Sequence, residues 1–380
     1  MKVILSVEAV RFPLTGVGRY SYELARGLTS VPVEDLSELR FFSGFRFMSS
    51  LPEPSAHANV SHGFRRFVQS SRVLTRAYQW GAPLLRALAL GGKREHIYHS
   101  PNFFLPPFRG AKIATFHDLS AFKWPQCYDP VKLRFLQQEL RKTLESADAL
   151  ITDSEYTRRE LAEFSGWPLA KIHAVPLAAA PGFFPREPGE VTSALKRYGL
   201  AFKAYSLYVG TIEPRKNLIR LLDAYSRLPL SIRKRWPLVL VGYRGWRSEE
   251  IHERIRGAEA EGWAKYLGYV PEPDLPLLFA GARLFAFPSH YEGFGLPVLE
   301  AMSSGVPVVC SNSSSLPEVV GSAALMSDPD DVVGLAENLL KGLQDDDWRD
   351  GAIGSGLKQA GRFSWSRCVE QTLAVYGTVQ

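Results

Sequence analysis

Short apolar runs alternate with longer stretches of helical spacing along this chain, and the pattern restarts half-way. The first series is Lys2 to Val10, Arg40 to Phe45, His96 to Asn102, Lys112 to Leu119, Ala149 to Glu155 and Ile172 to Leu177. Strands separated in this way by helices cannot pair as hairpins, so the sequence predicts a parallel α/β sheet wound on both faces. The stretch Ala179 to Gly189 is then rich in Pro and Gly, and a helix-like segment follows it to Tyr198. A domain boundary belongs there. The second series is Tyr205 to Thr211, Pro237 to Gly242, Lys265 to Val270, Leu284 to Pro288 and Val306 to Ser311. Two doubly wound domains also suit a chain of 380 residues, which exceeds what one core usually spans.

Composition narrows the setting. With 46% hydrophobic and 22% charged residues, the chain is globular, and no run reaches the roughly 18 apolar residues of a membrane span. The N-terminus, Met1-Lys-Val-Ile-Leu-Ser-Val-Glu, meets an acid too early for a signal peptide, which places the chain in the cytoplasm. Cys127, Cys310 and Cys368 are too few and too far apart for a disulfide framework or a zinc site. A net charge of +6 favours an anionic partner without naming one.

Ligands of such sheets sit beyond the carboxyl ends of the strands, so the polar residues there are the candidates. His99, Asn102, His117, Asp118, Asp153, Ser154 and Glu155 all fall at strand ends, and His117 ends an apolar strand with an acid behind it. Gly16 and Gly18 follow the first strand and open a helix marked by Tyr20, Leu24 and Leu28. They serve either a phosphate or a tight turn alone. Arg215 and Lys216 stand beside a glycine loop at a helix start near Asn217, where charge and backbone donors together suit a diphosphate. The loop Glu292, Gly293, Phe294, Gly295 and Leu296 leads to Pro297, a first-turn proline, and Glu300 lies about one turn inside the helix. The amides of Gly293, Phe294 and Gly295 stand at the positive end of that helix.

Between Pro54 and Arg94 there is no acid, whereas Arg65, Arg66, Arg72, Arg76, Arg86, Lys93 and Arg94 alternate with aromatic and aliphatic residues. Such a stretch forms either a core-packed helical pair with a solvated cationic edge or a face for an anionic membrane. No nucleic-acid motif accompanies it.

In order along the chain, Thr15-Gly-Val-Gly-Arg, Phe116-His-Asp-Leu, Val209-Gly-Thr-Ile-Glu-Pro-Arg-Lys-Asn and Glu292-Gly-Phe-Gly-Leu-Pro-Val-Leu-Glu300 resemble the motifs of glycosyltransferase family 4. The resemblance spans nearly the whole chain apart from about residues 46 to 95. It implies the GT-B fold, two Rossmann-like domains facing across a cleft. Residues 1–190 would bind the acceptor, joined by a last helix at 364–380, and residues 191–363 would bind the donor. It implies a retaining enzyme that takes a nucleotide-diphosphate sugar as substrate and needs no cofactor or metal; Asp328 and Asp330 have metal-like spacing but fall late in the domain. Arg215 and Lys216 would hold the donor diphosphate, with Gly16 adding a backbone donor from the opposite domain. Glu300 would take the ribose hydroxyls, Glu292 with the amides of Phe294 and Gly295 the sugar hydroxyls, and Tyr269 and Val270 the base. His117 would lie beside the reacting carbon. Overall similarity to bacterial O-antigen mannosyltransferases implies GDP-mannose or a deoxy relative as donor and a lipid-linked glycan of lipopolysaccharide as acceptor, at the inner face of the membrane. An epimerase and a nonenzymatic nucleotide-sugar scaffold share the fold and remain as alternatives.

Overall fold

The computed structural model describes residues 1–14, 16–52 and 85–380. The first sheet contains β1 (Lys2–Ser6), β2 (Glu38–Ser43), β3 (Arg46–Met48), β4 (Ile97–Ser100), β5 (Lys112–Phe116), β6 (Ala149–Thr152) and β7 (Ile172–Ala174). Their order is β3-β2-β1-β4-β5-β6-β7, parallel except for the edge strand β3. That edge forms because Gly44, at φ 65°, can turn the chain left-handed directly after β2 and fold Arg46 back onto Ser43.

The second sheet contains β8 (Ser206–Val209), β9 (Leu238–Val241), β10 (Ala264–Gly268), β11 (Leu284–Phe287), β12 (Val308–Ser311) and β13 (Ala324–Ser327), in the parallel order β10-β9-β8-β11-β12-β13. Central strands covered by helices on both faces must be apolar throughout, and Leu284, Phe285, Ala286 and Phe287 of β11 are all fully buried. The strand order reverses between β1 and β4 in one sheet and between β8 and β11 in the other. These are the switch points at which open α/β sheets place their ligands.

The helix Pro188–Arg197 packs on Leu275–Gly281, so the chain already belongs to the second sheet by Pro188. The last helix, Trp365–Gly377, is capped by the Ser364 hydroxyl, which accepts from Arg367 N. It returns to the first sheet and packs on the helix Gly16–Leu28. Gly27 is required there, since a Cβ would lie 2.5 Å from Val369 Cγ2. Tyr376 then hydrogen-bonds the buried His99 at 2.7 Å. Burial holds that imidazole neutral, pushing its pKa down to about 3.

Residues 53–84 lie outside the described residues, and with them most of the basic stretch. Of its described part, Arg86 pairs with Glu8 at 2.9 Å, and Leu85 and Leu88 are exposed. Among the described residues no helix is long and apolar enough to cross a membrane.

Candidate active site

β8 delivers the chain into a short turn, Pro214–Lys216, that precedes the helix Leu218–Ser226. Asn217 makes the junction in the left-handed region, at φ 60°, a conformation that its short amide tolerates. Its side chain donates to the carbonyls of Pro288 at 3.0 Å and Pro329 at 2.6 Å, tying this turn to the end of β11. Arg215 Nη1 donates to the Tyr291 carbonyl at 2.7 Å, and Arg215 Nη2 reaches Glu213 at 2.8 Å. Lys216 Nζ donates to both oxygens of Glu292, at 2.6 and 2.9 Å. Two cations and two acids therefore form one cluster, with Lys216 and Glu292 buried and Arg215 and Glu213 half-buried. Burial alone would raise the Glu292 carboxyl, but Lys216 and Arg215 outweigh it and hold it below the usual carboxylate range.

The loop after β11 is braced from below. Ser315 Oγ donates to the carbonyls of Glu292 at 2.9 Å and Phe294 at 2.8 Å, and Glu292 N donates to Ser314 Oγ at 2.9 Å. Gly295, at φ 108°, is the turn into the helix Leu296–Ser303. Glu300 is half-buried on that helix, and its carboxylate hydrogen-bonds no group among the described residues. Burial pushes its pKa to about 8, against the opposing charge of Arg19. Between its ordinary 4.5 and about 8 the folded protein thus keeps a proton that the unfolded chain has lost. Stability falls as pH rises through that window. Glu300→Gln is expected to remove this fall: thermal unfolding from pH 5 to 9 should show a shallower decline and a higher midpoint at pH 9 than the wild type. An unchanged slope would refute the buried-carboxyl account.

The first domain meets this loop closely. A Cβ at Gly293 would lie 1.7 Å from the His117 carbonyl oxygen. The Gly293 carbonyl accepts from Ser154 Oγ at 2.7 Å and Thr157 Oγ1 at 2.9 Å. Ser154 also caps its own helix, Glu155–Ser165, by accepting from Thr157 N, so one hydroxyl serves both a helix start and the opposite domain. Glu318 accepts from the amides of Glu155 at 2.9 Å and Tyr156 at 3.1 Å, placing a carboxylate from the second domain on the positive end of the same helix. Tyr291 bridges too, accepting from Leu119 N at 3.0 Å and donating to Glu160. His117 Nδ1 lies 2.7 Å from Asp153 Oδ2. On the facing side Arg19 pairs with Glu272.

Two family models match this chain: "Glycosyltransferase Family 4" over residues 14–179 and "Glycosyl transferases group 1" over residues 200–357. O-antigen chain mannosyltransferase B of Escherichia coli is 43% identical over 380 residues, covering 99% of both chains. The chain belongs to the family 4, group 1 glycosyltransferases. A second relative, the serotype-specific mannosyltransferase WbdA of Escherichia coli, is 32% identical over 273 residues, covering 70% of this chain and 33% of that protein. HepE of Anabaena, solved in complex with UDP, has a TM-score of 0.70 at 17% identity, covering 100% of both chains, and that likeness bears on the GT-B fold alone.

Within this glycosyltransferase the expected residues do not form one patch. Arg215, Lys216 and Glu292 converge as described, and Gly293 abuts His117. Phe294 turns inward and packs edge-on against Phe363. Leu296 is half-buried in the first turn of its helix, and Val270 is buried. Tyr269 is exposed at the end of β10, its ring stacked on Tyr243 with centroids 4.9 Å apart. A Cβ at Gly16 would meet nothing within 4 Å, so among the described residues no contact explains that glycine. Asp118 turns back to accept from Ser120 N at 2.9 Å. The motifs did not reveal the residues that join the domains, Ser154, Tyr291 and Glu318, nor Asp153, the partner of His117 within the first domain. Of these, Asp153 and Ser154 carried a sequence signal, their place at a strand end.

Proposed function

We propose that this glycosyltransferase moves mannose from GDP-mannose, with retention and without a metal, onto a lipid-linked glycan of a cell-surface polysaccharide. The observation that carries this reading is the 43% identity, over the full length, with O-antigen chain mannosyltransferase B. Breaking a glycosyl phosphate makes an oxocarbenium-like sugar and an anionic leaving group, so fixed cations at the phosphate lower the barrier most. Arg215 and Lys216 supply them, with an amide near Gly16 facing from the first domain. Glu292 exchanges its contact with Lys216 for a sugar hydroxyl as the phosphate arrives, and the amides of Phe294 and Gly295 hold the same sugar. Glu300, which no donor among the described residues occupies, takes the ribose hydroxyls, while Tyr269 and Val270 border the base. The acceptor oxygen attacks the anomeric carbon on the face that the phosphate leaves, and its proton passes to the departing phosphate oxygen. Docking at the cytoplasmic face of the membrane through residues 64–94 belongs to the same reading.

The test incubates the full-length protein with GDP-mannose, UDP-glucose or ADP-glucose and a lipid-linked mannan primer, with and without EDTA. GDP release with a new mannoside of the donor's configuration, unaffected by EDTA, is the expected result. An isomerised nucleotide sugar with no glycoside would replace the reading by the epimerase, and turnover with UDP-glucose alone would overturn the donor.

A further inference from the structure

Asp153 follows β6 and has no place in the motifs that identify the family. Its Oδ2 lies 2.7 Å from His117 Nδ1, while His117 Nε2 lies 3.0 Å from the carbonyl oxygen of Pro101. An ionised carboxylate and a carbonyl only accept, so with Asp153 ionised each ring nitrogen carries a hydrogen when both bonds exist. A neutral imidazole has one N–H and would set a lone pair against one of these oxygens. Asp153 Oδ1 is buried and hydrogen-bonds nothing among the described residues. A carboxylate so poorly solvated needs an opposite charge beside it.

We infer that Asp153 is a positioning residue that keeps the His117 ring doubly protonated, so that the imidazolium is a fixed strut between the Pro101 turn and β6 and not a proton-transfer group. The inference rests on the reading of His117 as part of the transferase site. The surroundings agree with it. Tyr20 packs edge-on against the ring, with centroids 5.1 Å apart. His99, on the neighbouring strand, is held neutral by burial. The Cys368 thiol of the last helix lies near enough to feel Asp153 and is itself pushed up to about 12 by burial, so it stays protonated. The charged groups bearing on His117 are thus the two acids Asp153 and Asp118. Burial opposes the cation, but those acids and the Pro101 carbonyl outweigh it, so His117 is held above its ordinary value. Burial also pushes the Asp153 carboxyl up, against the pull of His117, and the doubly bonded ring is what decides for the ion pair. With both polar edges of the ring bound to protein, His117 has no free lone pair to remove a proton from the acceptor. The leaving phosphate oxygen is left as the group that receives it.

The experiment is nitrogen NMR of full-length protein labelled at histidine, with the His117 signals identified by their loss in His117→Gln. Both ring nitrogens of His117 should carry protons from pH 6 to 8. In Asp153→Asn the ring should lose one proton at neutral pH, and the alkaline fall of the pH–rate profile should move about 1–3 units toward acid, the usual effect of one adjacent charge. Asp153→Glu should restore part of that shift. A bare Nδ1 in the wild type, with the proton on Asp153 instead, overturns the inference, as does a pH profile unchanged in Asp153→Asn. The NMR measurement needs no substrate, so it stands or falls separately from the donor assignment.

Discussion

Lys216→Ala is expected to lower kcat by about 10²–10³-fold, the usual cost of removing one fixed donor from a developing anion. The fold is expected to survive, although with reduced stability. Lys216 is buried against Glu292, with Nζ 2.6 Å from Oε1, and removing it leaves that carboxylate, among the described residues, with Arg215 at 3.4 Å as its remaining cation. Leaving one member of a buried pair unpaired is destabilising on the order of 3–5 kcal/mol, and Arg215 offsets part of it. A lost activity could therefore reflect lost structure. The double variant Lys216→Ala, Glu292→Gln, read against Glu292→Gln alone, separates the two causes, because it removes the stranded charge without restoring the cation. Its thermal midpoint should recover toward the wild type while its turnover stays well below that of Glu292→Gln. If turnover recovers together with the midpoint, Lys216 acts through packing and has no role at the phosphate; near-normal turnover in the single variant would have the same meaning.

The contrast between what the residues reveal along the chain and what they do in space follows from range. Arg215 and Lys216 are legible because glycine, cations and helix start are neighbours in sequence, and the loop from Glu292 to Glu300 is legible because Pro297 and the apolar run before it fix a strand, a turn and a helix. The central strands are legible for a similar reason, since burial on both faces leaves an unbroken apolar run. β3 and β13 left no such mark. β3 is three residues long with Arg46 exposed, and β13 is only half-buried at the other sheet's edge. Most of what the sequence leaves hidden in the site is long-range. The charge that neutralises Lys216 comes from 76 residues away, and the carboxylate that holds the His117 ring comes from 36 away. Local chemistry can nominate such groups, but only the packing of one strand end against another pairs them. The ion pair between Lys216 and Glu292 also changes the picture that the motif implies, because the residue expected on the sugar sits here on the cation expected at the phosphate.

Gly293→Ala should abolish transfer while leaving both domains folded, with kcat down by at least about 10²-fold. The added methyl would stand 1.7 Å from the His117 carbonyl oxygen and 2.9 Å from Asp118 Cβ, and both belong to the opposite domain. Neither neighbour is the far end of a flexible side chain, so the domains themselves must move apart. Such a shift also stretches the bonds from Ser154 and Thr157 to the Gly293 carbonyl, and it lifts Glu318 from the helix that it caps. A displacement of about 1 Å near reacting atoms costs roughly 10²-fold. On the proposed reading, most donor contacts come from the second domain, so nucleotide binding should weaken far less than turnover and the defect belongs mainly in kcat. Measuring GDP binding by thermal shift and transfer in the same preparation distinguishes these. If Gly293→Ala transfers at the wild-type rate, the close approach of Gly293 to His117 is not part of the catalytic arrangement, and the site must work with the domains further apart.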